Sequence, residues 1–138
     1  MPSDSPNAIH AVFEKLQKEA LRIRALEAEA KEALFVRDDQ ETYTLKLKEK
    51  TTVLMELPDT LEPLLDDLDG EVRSEIQAGL EDFARRAGQA LGLSSLFYMS
   101  ALLYPDEYVE GDRNDLEKFI DRFERKFSRR EACPDKRM

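Results

Sequence analysis

Apolar residues recur at helical spacing along almost the whole chain. From Pro6 to about Arg37, Ile9, Leu16, Ile23 and Ala30 stand seven apart, flanked by Val12, Phe13, Ala20, Leu26, Ala33 and Leu34. A seam of this period predicts one long helix with coiled-coil-like packing. Ser5 before Pro6 offers a cap with proline in the first turn. A helix of about thirty residues extends about 45 Å, so it needs antiparallel partners of similar length.

Residues 39–57 fit two periods. Tyr43, Leu45, Leu47, Val53, Met55 and Leu57 share odd parity, as on a strand, whereas Tyr43, Leu47, Val53, Leu54 and Leu57 also cluster on a helical wheel. Helix is the better reading, because no second stretch shows strand periodicity, no turn dipeptide folds this one back on itself, and an isolated strand is not stable. Pro58 and Pro63 then bracket a redirection, and Leu61, Leu64, Leu65 and Leu68 give a short helix up to Gly70. Val72, Ile76, Leu80, Phe83, Ala87 and Leu91 give a longer one that stops at Gly92, a residue able to take a left-handed cap. Ser94 or Ser95 caps a further short helix that Pro105 ends. In the last element, Asn114 and Glu117 have capping-box spacing, and Leu116, Phe119, Ile120, Phe123 and Phe127 form one narrow stripe.

These elements predict an all-α fold, an antiparallel helical bundle built on a long helical hairpin of about 6–37 and 39–57. Residues 1–128 form one domain and 129–138 a flexible polar tail. The window from Ala87 to Tyr104 holds no charged residue. It is broken by glycines and serines, and its densest apolar part is too short for a membrane span. Its expected place is the most buried part of a soluble core.

Composition narrows the function classes. The chain has 138 residues, 37% of them charged, and its 30 acidic against 21 basic side chains leave a net charge of −9. That excess is unevenly spread: residues 38–82 carry 14 acids and 4 bases, whereas the last 17 residues carry a net +4. The acidic body disfavours phosphate backbones and anionic lipid. A helix-turn-helix reading of 84–98 fails, because its second helix offers no Arg, Lys, Asn or Gln to bases. Neither nucleic acid nor membrane is an expected partner. Cys133 is the only cysteine, so no intramolecular disulfide forms, and the first residues lack a basic segment followed by an apolar one. A cytoplasmic location is expected.

Usual catalytic constellations are missing from the sequence. His10 is the one histidine, with no second His or nearby Cys for zinc and no Glu-x-x-His pair for a di-iron site. A calcium loop around Gly70 or Gly111 lacks essential ligands, and no phosphate-binding glycine loop occurs. No catalytic or metal residue is nominated and no cofactor is expected.

The leading expectation is a non-enzymatic helical interaction protein, an adaptor or chaperone-like binder, with Leu116, Phe119, Ile120, Phe123 and Phe127 as the candidate surface for a protein partner. The competing reading of that stripe is that it closes the bundle's own core. Small size, acidity, a helical hairpin and an amphipathic C-terminal helix resemble, as a physical class, the export chaperones of flagellar and type III secretion systems. That resemblance carries no site residue. Two alternatives stand beside it: a self-associating homo-oligomer joined through the first helix, and a small-molecule-binding or enzymatic bundle with a pocket lined by Tyr98, Tyr104 and Tyr108.

Overall fold

The computed structural model describes the backbone from Pro6 to Lys136 and side chains from Ala8 to Phe127. Six helices follow in order: α1 (Pro6–Phe35), α2 (Gln40–Met55), α3 (Leu57–Leu65), α4 (Gly70–Gly92), α5 (Leu96–Ala101) and α6 (Asp115–Lys136). No strand occurs among the described residues, so the fold is the expected all-α bundle. The expected cap Ser5 and the side chains of 129–138, Cys133 included, lie outside what is described, while the backbone of 129–136, expected as a flexible tail, is described as part of α6.

The hairpin of α1 and α2 is the frame. α1 buries the seam read from its sequence, Ile9, Val12, Phe13, Leu16, Ala20, Ile23, Leu26, Ala30 and Ala33. Asp38 makes the turn with φ 53°, a left-handed value that a short polar side chain tolerates. Asp39 then caps α2, its Oδ1 accepting from Thr42 N at 3.0 Å. Thr51 and Thr52 fit the helix because their hydroxyls donate back to the carbonyls of Leu47 and Lys48 at 2.8 and 2.9 Å. The odd-numbered apolar parity of 43–57 is therefore not a strand signal.

The remaining helices pack along this frame. α1 contacts α2, α3 and α6, while α4 lies against α2, α3 and α5. Val72, Ile76, Leu80, Phe83, Ala87 and Ala90 form the buried face of α4. Its left-handed exit falls at Ser94, with φ 53°, two residues beyond the expected Gly92. Ser95 caps α5 by accepting from Tyr98 N at 3.1 Å. At the start of α6, Glu117 N donates to Asn114 Oδ1 and Asn114 N donates to Glu117 Oε1, both at 2.9 Å, completing the capping box.

One expectation is overturned. The uncharged window 87–104 is not the centre of the core: Leu93, Phe97 and Tyr98 are 67, 74 and 52% exposed. Only Ala87, Ala90, Met99 and Leu103 of that window are buried. Lack of charge removes the desolvation penalty, but burial also needs neighbours on every side. The apolar faces of α1, α2, α3, α4 and α6 already fill the centre. α5 has only six residues and covers a corner.

Candidate functional site

The five apolar side chains of α6 nominated for a partner lie in the core. Leu116, Phe119, Ile120, Phe123 and Phe127 are each less than a tenth exposed. Their rings continue a ladder from α4: Phe83 meets Phe119 edge-on at 5.6 Å, Phe119 meets Phe123 at 4.7 Å, and Phe123 stacks on Phe127 at 5.3 Å. Arg122 and Lys126 lie over the rings, and Lys126 is held by Glu75 at 2.7 Å. The stripe closes the bundle.

A polar site lies beside it. Arg24 and Glu27 stand one turn apart on α1, on the flank of the Ile23 and Ala30 seam. α2 brings Lys50, three residues after Leu47 and four before Leu54, onto its buried face, where it is 1% exposed. The segment between α5 and α6 supplies Tyr104, Tyr108 and Asp112, and the first turn of α6 supplies Glu117.

These groups form one chain of contacts. The Arg24 guanidinium donates through Nε and Nη2 to the two Glu117 oxygens at 3.0 and 2.8 Å, and through Nη1 to the Tyr104 hydroxyl at 3.2 Å. That hydroxyl donates to Glu27 Oε1 at 2.5 Å, and Glu27 Oε2 lies 3.0 Å from Lys50 Nζ. Lys50 also donates to the carbonyls of Leu102 and Ser100 at 3.1 and 3.4 Å. The network thereby ties α1, α2, the end of α5 and α6 together.

Burial and charge shape its protonation. Desolvation pushes the Lys50 ammonium below the usual lysine range, against the opposing pull of Glu27. Burial, followed by the hydrogen bond to Glu27, raises the Tyr104 hydroxyl. The Arg24 hydrogen bonds hold the Glu117 carboxyl below its ordinary value. Each shift except that of Lys50 reinforces the ionisation states that the network uses.

The network forms one wall of a cleft of about 310 Å3. Ala30, Phe35, Tyr43 and Leu47 also line it, and so do Lys31 and Glu110, both exposed. Of the three tyrosines nominated for a pocket, the structure brings Tyr104 and Tyr108 together, their rings edge-on at 4.7 Å. Tyr98 lies elsewhere, beside a second, shallower hollow of about 520 Å3 bordered by Leu93, Leu102, Leu103 and Tyr104. Arg24, Glu27 and Lys50 are not singled out by the sequence, and Glu117 is singled out only as the cap of α6. The signal for Lys50 was its place on the apolar face of α2.

His10 is exposed, and among the described residues no group of His, Cys, Asp and Glu is placed to hold a metal ion. No helix among them is long and apolar enough to cross a membrane. The chain matches no protein-family model, and no curated protein or solved structure is detectably similar to it.

Proposed function

We propose that this chain is a non-enzymatic helical interaction protein of the cytoplasm that holds an apolar segment of a partner at the corner between α4 and α5. The observation that supports this reading is the exposure of Leu93, Phe97 and Tyr98 on one short, uncharged stretch of a chain in which 37% of residues are charged. Isolated apolar residues on a surface are ordinary. Three large ones within six positions are a patch, and such patches mark interaction sites. Phe97 and Tyr98 meet edge-on at 5.4 Å, so the patch presents a joined aromatic surface. The hollow that adjoins it is lined by Leu93, Tyr98, Leu102 and Leu103 together with the polar Arg86, Gln89 and Asp115, and offers a place for one anchoring side chain.

Docking at this corner replaces docking on the α6 stripe, whose side chains the core already uses. A chaperone-like role fits the same surface, because a partner's exposed apolar helix needs an apolar cover and little else. The lone cysteine agrees with a reducing compartment.

The test is a Phe97→Glu variant compared with wild type for capture of proteins from the native host. Loss of a specific captured protein with an unchanged thermal melt supports the proposal. Equal capture by both proteins contradicts it. A wild-type dimer in ultracentrifugation that Phe97→Glu converts to a monomer assigns the corner to a second copy of the chain.

A further inference from the structure

The cleft between the hairpin and the α5–α6 segment has a chemical character of its own, independent of the α4–α5 corner. Its lining carries five charged residues: Lys31 and Glu110 are exposed, where water and salt screen them, and Arg24, Glu27 and Lys50 stand on the more buried wall. These last three are committed within the protein. Arg24 is bidentate to Glu117, Glu27 receives the Tyr104 hydroxyl and faces Lys50, and Lys50 is further held by the carbonyls of Ser100 and Leu102. The Tyr108 hydroxyl is likewise engaged, donating to Asp112 O at 2.8 Å. A charged ligand entering here would leave water without a free counter-charge on that wall, or would have to break an existing pair, and either is costly.

The cleft does offer ring faces over an apolar floor. Ala30 and Leu47 are 1 and 3% exposed and form that floor. Phe35, Tyr43, Tyr104 and Tyr108 stand around it. Phe35 is 76% exposed although it borders a hollow that a flat molecule could fill. A volume of about 310 Å3 lies at the small end of ligand pockets, suited to one or two fused rings.

We propose that this cleft is a binding site for a small, flat, uncharged aromatic molecule, which stacks against Phe35 and Tyr43 and leaves the Arg24–Glu117 and Glu27–Lys50 pairs intact. Binding covers ring surface on both partners and requires no new ion pair.

The experiment uses three probes of matched shape at pH 7: 2-naphthol, 2-naphthoate and 2-naphthylmethylammonium. Each is titrated into the full chain by calorimetry, with the tyrosine ring resonances followed by NMR. Three of the four tyrosines, Tyr43, Tyr104 and Tyr108, line the cleft, and the chain has no tryptophan to obscure them. The result expected is saturable binding of 2-naphthol, at least about tenfold tighter than either ion. Phe35→Ala and Tyr43→Ala each weaken it by about tenfold. Leu21→Ala, an exposed change elsewhere on α1, leaves it unaltered. No saturable binding of 2-naphthol, an ion that binds as tightly, or affinity unchanged in both ring variants overturns the proposal.

Discussion

Lys50 shows how much a single side chain organises here. A lysine 1% exposed, with its amine between Glu27 and two carbonyls, is a buried cation whose removal strands a carboxylate. Breaking a buried pair from one side costs about 3–5 kcal/mol. Lys50→Met should lower the unfolding free energy in urea by that order. The Lys50→Met, Glu27→Leu double variant should cost less than the two single changes together, with a coupling of about 0.5–3 kcal/mol. Glu117 gives a prediction in pH. Its folded carboxyl titrates below the ordinary value of 4.5, so below that pH the unfolded chain binds more protons than the folded one. The contribution is complete above pH 4.5 and is lost as pH falls toward the folded value. Urea midpoints of Glu117→Gln should therefore be lower than wild type at pH 7, with a smaller drop on acidification. None of these partnerships could be read from residue order, since Arg24 and Glu117 lie 93 positions apart. Glu117 was legible only as a cap, the local half of its work.

At the scale of elements, the packing of α4 against α6 makes two glycines of one helix respond in opposite directions. A Cβ on Gly79 would fall 2.7 Å from Phe119 Cζ and closer still to Cε1, whereas one on Gly88 meets nothing within 4 Å. Gly88→Ala should stabilise by about 0.5–1 kcal/mol through helix propensity. Gly79→Ala should destabilise by about 1–3 kcal/mol, because the ring must move in a filled core. Thermal melts of the two variants check both signs. α6 itself is structural: it places five large apolar side chains in the core, each contributing roughly 1.5–3 kcal/mol. Truncation after Gly111 should abolish the cooperative melt, since that sum is comparable to the roughly 5–15 kcal/mol by which a domain is stable. The helices were legible because their stripes repeat at 3.6 residues, and the α6 cap because its spacing is local. Whether the Phe119, Phe123 and Phe127 stripe faces inward was not legible, because an amphipathic helix looks the same whether its cover is its own bundle or another chain.

For the molecule as a whole, the structure exchanges two expectations about where apolar surface ends. The stripe nominated as an interface is core, and the uncharged segment nominated as core is partly surface at Leu93, Phe97 and Tyr98. Composition marks both as apolar. Only the way the other helices fill space decides which is covered. A functional corner and a structural stripe make different demands under substitution. Phe97→Ala should leave the melt within about 0.5 kcal/mol of wild type, as exposed positions do. Phe127→Ala should cost about 3–5 kcal/mol, as buried aromatic residues do. The central claim is that the α4–α5 corner meets a partner, and site-specific photocrosslinking in the native host addresses it most directly. A benzophenone side chain is placed at position 97 and, separately, at the equally exposed position 21. The result expected is one discrete adduct from position 97, with none of it from position 21. Adducts from position 97 that match those from position 21 in identity and amount would contradict the claim.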